Sequence, residues 1–303
     1  MNKTHKTCFF LDINLDKTED VFITNILTCI LNLLFSLLTC AGNFVILHAI
    51  RKAEDLHTPS FILLGCLTAS DFLVGAICQP FFVAFKIAEL VDNFSAYCTL
   101  RLFQFMSGWI TASVSFYTLA AVSIDRLLAL TLHLQYKTVV TVPRVFKTIL
   151  VFWIFCITGV TLRFWMSTDW LVLPVVGFLL TLLVTTLSTS KIFQIVRRHQ
   201  RQINSQNMAI QRLQPNRMNV LKCKKTAVTV LYVYGFFIIF YLPFCGAMLV
   251  ESFTGYNRRV KIAYDYTTTA VFINSFLNPL VYCWRIREIR QAVEKVLRKG
   301  KED

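Results

Sequence analysis

The chain has 303 residues, 55% of them hydrophobic and only 16% charged, with a mean hydropathy of +0.57 and a formal net charge of +14. Charged residues make up about a quarter of an ordinary soluble domain, so this composition excludes a soluble fold and makes the bilayer the expected solvent. The first twenty residues, MNKTHKTCFFLDINLDKTED, are polar and mixed in charge and do not read as a cleavable signal peptide, so the first apolar span is expected to act as its own insertion signal.

In chain order, seven stretches are apolar enough and long enough to cross a bilayer as helices: 22–50, 59–86, 98–130, 145–167, 169–196, 222–250 and 261–284. The fold class expected is therefore all-α, a seven-transmembrane-helix bundle over residues 22–284. Only WMSTDW (165–170) separates the fourth and fifth spans, which calls for a helical hairpin there. An odd number of spans puts the termini on opposite sides. Of the 31 Lys and Arg residues, 22 fall on the carboxyl-terminal side and 9 on the other. The positive-inside rule then predicts an extracellular amino terminus, residues 1–21, and a cytoplasmic tail, residues 285–303. Sequons at Asn2 and Asn93 both fall on the predicted outer side, as glycosylation requires. Topology and contact with anionic membrane lipids account for the positive charge, and no nucleic-acid partner is implied.

After the seventh span, RIREIRQAVEKVL (285–297) spaces Ile286, Ile289, Val293 and Val296 or Leu297 by three to four residues among basic ones. That pattern predicts an amphipathic helix lying on the inner leaflet. Ten cysteines are present, most of them inside spans, where the residue serves as a small apolar filler. Cys8 and Cys98 alone fall clearly in the oxidising outer compartment, and a bridge between them and a pair of free thiols are both open. There is no metal-ligand spacing, no phosphate-cradling glycine loop and no internal repeat.

Polar residues at membrane depth are costly and mark functional positions or helix-tying networks. Here they are Asn43, Asp71, Asp125, Arg126, Asn274 and Asn278. Their surroundings are GNFV (42–45), LTASD (67–71), SIDR (123–126), Trp153 within the fourth span, FFIIFYLP (236–243) and NPLVY (278–282). This ordered set resembles the class A, rhodopsin-like, G-protein-coupled receptors. YCWRIREIRQAV (282–293) is most similar to adenosine receptors, and the short fourth-to-fifth connection to melanocortin receptors.

The resemblance implies a receptor, not an enzyme, in the plasma membrane that activates a heterotrimeric G protein. It implies a switch made of Asp125, Arg126, Asn278, Pro279 and Tyr282: the arginine is held at rest, and the proline lets the seventh helix bend. Leu127 stands where a tyrosine is common. Asp71, Ser115, Asn274 and Ser275 match the sodium pocket of the class, an oxygen-rich donor set suited to a hard cation acting as an allosteric modulator; no other cofactor is implied. Asn43, Phe237, Tyr241 and Pro243 match the helix-switch positions, with Tyr241 in place of the usual tryptophan.

Several positions depart from the class. No acidic residue occurs between Asp169 and Glu251, so the inner end of the sixth span, VLKCKKTAV (220–228), is purely basic and offers Arg126 no restraining acid. Signalling without ligand is expected from this. Thr181 and Thr189 replace the proline and tyrosine of the fifth span, and Arg101 occupies the position of the usual third-span cysteine.

Matching positions put Phe81, Phe82, Phe85, Arg101, Gln104, Gly108, Trp109, Ala112, Phe244, Cys245, Met248, Thr268 and Phe272 around the ligand cavity. Gly108 replaces the aspartate of aminergic receptors, leaving an ammonium unpaired there. Phe272 replaces the lysine of opsins and the histidine of adenosine receptors, and Met248 the asparagine of the latter. The cavity expected is mostly apolar and aromatic, suited to a lipid or small apolar molecule, with Arg101 and Gln104 near its mouth. Two alternatives are a chemosensory receptor of the same fold and an ion-conducting or transporting protein using Asp71 and Asn278. The lack of an internal repeat disfavours the latter.

Overall fold

The computed structural model describes residues 5–14, 18–132, 135–165, 172–205 and 215–299. Asn2, most of WMSTDW, residues 206–214 of the basic connection and the side chains of VLKCKKTAV lie outside the described residues.

An antiparallel hairpin, β1 (His5–Cys8) and β2 (Leu11–Asn14), precedes the helices. The spans follow as α1 (Glu19–Lys52), α2 (Pro59–Leu73) continuing through a π-turn, Val74–Cys78, into α3 (Gln79–Leu90), and α4 (Phe94–Thr131). A single turn, α5 (Tyr136–Val139), leads to α6 (Val142–Thr161), α7 (Val172–Ser205), α8 (Pro215–Thr254) and α9 (Arg258–Arg285). The last helix is α10 (Arg287–Lys299). Six of these spans are long and apolar enough to cross a membrane by length and composition. The seventh, α9, has 28 residues and carries Asp265, Asn274 and Asn278 along its buried face.

Local chemistry sets the ends. Glu19 and Asp20 open α1 and Arg51 and Lys52 close it, each sign suiting the helix dipole. The Asn93 side chain caps α4 by accepting from the Ala96 N–H at 3.1 Å, and Asn257 caps α9 in the same way. Pro59 and Pro143 sit in first turns, where a missing N–H costs nothing.

The central helix is α4, which touches α2, α3, α6, α7 and α8, while α1 packs along α9. At the end that carries Arg126, the core contains Ile46, Leu67, Leu119, Phe237 and Tyr282. The apolar face of α10 closes it with Ile289 and Ala292, whereas Leu297 stays exposed. At the opposite end, the hairpin inserts Cys8 and Ile13 among Phe82, Phe85, Tyr97 and Phe272. A disulfide joins Cys8 to Cys98, tying the hairpin to α4 with a Cα separation of 5.6 Å.

The π-turn allows a close helix approach. A Cβ at Gly75 would meet the Cys40 backbone nitrogen at 3.0 Å, and the Gly75 carbonyl accepts from Ser36 Oγ at 2.7 Å. An inserted residue of this kind rotates everything after it by roughly 100° around the helix.

Candidate functional site

At the Arg126 end, the guanidinium donates to Asp125 Oδ2 from Nε at 3.0 Å and from Nη2 at 2.6 Å. Asp125 is buried and accepts two further bonds, from Ser60 Oγ at 2.7 Å and from Tyr136 Oη at 2.7 Å. Burial, and then the Asp125 carboxylate itself, push the Tyr136 phenol up to about 12, so it remains a donor at any physiological pH. The acid that neighbours Arg126 in sequence is thus oriented by two groups that the motif does not reveal. Tyr136 lies eleven residues on and Ser60 on another helix.

Midway along the bundle, Asp71 Oδ2 accepts from Asn278 Nδ2 at 2.7 Å, and the Ser275 hydroxyl faces the same carboxylate. Ser115 sits one step away, 2.8 Å from Ser70. Asn43 donates from Nδ2 to the Ser275 carbonyl at 3.1 Å, holding α1 against α9 beside Pro279. Asp71, Ser115, Asn274 and Ser275 are all buried. The Oδ1 atoms of Asn274 and Asn278 and the Tyr282 hydroxyl are buried without a hydrogen-bond partner. One carboxylate, several hydroxyls and two spare amide oxygens fit a hydrated hard cation. Among the described residues no group of three His, Cys, Asp or Glu side chains is placed to hold a metal.

Above this layer Phe116, Phe237 and Tyr241 form one aromatic stack, with Phe237 and Tyr241 nearly parallel at 5.2 Å and Phe116 edge-on to Tyr241 at 4.7 Å. Pro243 lies two residues beyond Tyr241, inside α8. Tyr234 bridges α8 to α7 through Thr186 at 2.8 Å, close to where Thr189 stands in place of the usual tyrosine.

A cavity of about 370 Å³ opens over that stack toward the hairpin end. Arg101, Gln104, Gly108, Trp109, Ala112, Phe244, Cys245, Met248, Thr268 and Phe272 line it. Phe81, Phe82 and Phe85 do not, which corrects the expectation for the second span. Phe82 and Phe85 are buried in the cluster under the hairpin, and Phe81 turns away to stack on the exposed Phe103 at 5.6 Å. The π-turn ahead of them rotates their register, so that Phe82 and Phe85 pack inward under the hairpin rather than on the cavity, and Phe81 faces out. The sequence reading also missed Phe10 and Leu11 of the hairpin and the polar set Glu251, Tyr256 and Tyr264. The wall is accordingly more polar than expected.

One buried ion cluster escaped notice altogether. Lys86 on α3 pairs with Asp265 on α9 at 2.5 Å and with Glu89 at 3.5 Å, and Glu89 in turn pairs with Lys261. Next to it, Asn32 donates to Thr269 at 2.9 Å and links α1 to α9. These charges lie within about two turns of the ends of α3 and α9, where lysine and glutamate usually read as solvated.

The comparisons with known proteins agree with this geometry. Residues 42–170 and 162–282 match the sequence profile of the family described as "7 transmembrane receptor (rhodopsin family)". Trace amine-associated receptor 8b of Mus musculus is 24% identical over 290 residues, covering 86% of this chain and 83% of the relative. Trace amine-associated receptor 13c of Danio rerio is 26% identical over 278 residues, 80% of this chain and 77% of the relative. Trace amine-associated receptor 2 of Mus musculus is 24% identical over 299 residues, 87% and 84% respectively. The family comprises signal-transducing membrane receptors that couple to G proteins and are not enzymes. The chain belongs to the rhodopsin family of seven-transmembrane receptors.

Proposed function

We propose that this receptor senses a lipid or small apolar molecule in the cavity over Phe116, Phe237 and Tyr241. In this reading the hairpin end faces outward at the plasma membrane, and Asn93, exposed at the start of α4, carries a glycan. The ligand shifts a resting population toward one in which Arg126 leaves Asp125 for the G protein. Sodium at Asp71 favours the resting population, with Ser115, Asn274 and Ser275 as its other ligands, and Pro279 lets Tyr282 swing inward when the ion is lost.

The observation that carries the reading is the aromatic cavity floor, Trp109, Phe116, Tyr241 and Phe244, which packs directly on Phe237 of the core. A ligand pressing on it acts on α8 without any intervening polar relay. A second reading, an amine held by Glu251, is favoured by the position of that carboxylate on the cavity wall and by the name shared by the relatives. A second-messenger screen of lipids, small apolar molecules and amines in expressing cells tests both, with Arg126→Ala as the silent control. A response to apolar molecules that persists in Glu251→Gln supports the first reading, and a response to amines alone that is lost in Glu251→Gln replaces it.

A further inference from the structure

The cavity wall carries an uncommitted cation. The Arg101 guanidinium, on α4, stacks on the Phe85 ring at 4.9 Å and donates to Gln104 Oε1 at 3.1 Å. Lys86 Nζ meets the same Phe85 ring at 5.3 Å. Two carboxylates lie close enough to act on Arg101, Glu89 and Asp265, and both are already engaged. Asp265 is held by Lys86, and Glu89 by Lys261 and Lys86. The cluster of two lysines and two acids is neutral in itself, so Arg101 is left with a neutral amide and an aromatic face as its partners. No carboxylate among the described residues lies within ion-pair distance of it.

A guanidinium that lines a cavity in this state retains N–H donors in a planar fork, the geometry that receives a carboxylate through two parallel bonds. From Arg101 the cavity runs down α4 past Gly108 and Trp109 to Tyr117. On the far side of that wall lies a larger apolar cleft of about 630 Å³ between α4, α6 and α7. Trp109, Ser113, Tyr117, Gly177 and Thr181 belong to both spaces. The cleft wall includes Phe155 and Leu180, apolar side chains more than half exposed on the outer surface of the bundle. A charged head at Arg101 therefore has an apolar wall leading away from it along α4, through Trp109, Ala112 and Phe116 to Tyr117.

We infer that the ligand is an amphiphile with a carboxylate head, bound through Arg101, whose apolar tail runs along α4 toward Tyr117. This deepens the apolar-ligand reading and rests on it. A single negative charge suits the site better than two, because Glu251 supplies a negative charge on the same cavity and has no cation within ion-pair distance among the described residues. The Arg101 fork sets the head, and the shared wall at Gly177 sets the tail. A Cβ at Gly177 would lie 2.9 Å from Tyr117 Oη, so a larger side chain there crowds the cavity wall on which the tail ends.

The test uses the full chain in lipid nanodiscs and three probes of one chain length: dodecanoate, dodecanol and dodecylamine. Saturable binding of radiolabelled dodecanoate, not displaced by dodecylamine, is expected. Arg101→Gln should weaken it about ten- to a hundredfold, as loss of a charge-assisted bidentate contact does. Glu251→Gln, which removes a negative charge from the same cavity, should tighten it. Gly177→Leu, which leaves the charges in place, should weaken dodecanoate yet spare acetate-length acids, so the inference survives a folding defect in the arginine variant. Binding of dodecanol equal to that of dodecanoate, unaffected by Arg101→Gln, overturns the acid head and leaves the apolar reading standing. Binding of dodecylamine alone overturns both, and so does the absence of binding by any of the three.

Discussion

Lys86 Nζ on α3 lies 2.5 Å from Asp265 Oδ2 on α9, with both side chains buried. A buried ion pair contributes modestly as a pair, but removing one partner strands the other charge at a cost of about 3–5 kcal/mol. Lys86→Met is therefore expected to lower the thermal stability of the purified receptor sharply, whereas Lys86→Met with Asp265→Leu recovers most of it. Melting curves for the two single variants and the double variant read the coupling directly. Additive losses would mean that the pair is incidental.

The three groups that hold Asp125 predict the basal activity. Tyr136→Phe removes one bond to a charged acceptor, worth roughly 1 kcal/mol at a half-buried site, and should raise ligand-independent signalling several-fold at matched surface expression. Ser60→Ala should act in the same direction. Because the Tyr136 pKa is raised to about 12 from about 10 in an unfolded chain, its contribution is complete below pH 10 and lost as pH rises from about 10 through 12. Acidification across the physiological range should leave this contact intact. A flat second-messenger baseline in both the parent and the variants would remove the argument.

The sodium site proposed at Asp71 predicts a receptor stability that depends on the choice of cation. At ten times its dissociation constant, a ligand specific to the folded state adds about 1.4 kcal/mol. The melting temperature should rise in sodium chloride relative to choline chloride at equal ionic strength, and Asp71→Asn should abolish that difference. Equal melting temperatures in the two salts for the parent chain would argue for a water-filled network.

The Cys8–Cys98 bridge closes a loop of sequence separation 90 and anchors the hairpin over the cavity. Its loss should destabilise the receptor by about 2–4 kcal/mol. Cys8→Ser should also weaken any ligand that touches Phe10 or Leu11, since the same bond positions both. Thermal melting with and without reductant, together with alkylation and intact mass, measures the first effect. Ligand binding after reduction measures the second.

Much of this protein is written locally in the chain. Apolar runs of bilayer length, the asymmetry of Lys and Arg and the pattern of α10 each depend on neighbours within a few turns, so all seven spans are legible. Asp125 beside Arg126, and Asn278 beside Pro279, are likewise local, because bonded neighbours share one helix end whatever the packing. The tertiary structure alone decided what crosses between helices. Lys86 with Asp265, and Ser60 with Asp125, are 179 and 65 residues apart, and no period in the sequence joins them. The facing of Phe81, Phe82 and Phe85 depended on a π-turn that leaves no compositional mark, since one inserted residue turns the following face by about a quarter of a revolution. Two cysteines in one compartment left both a bond and two thiols open, and only the fold of the hairpin onto α4 brought the sulfurs together. Helical periodicity thus determines which residues can face inward, while helix register and tilt decide what each of them meets there.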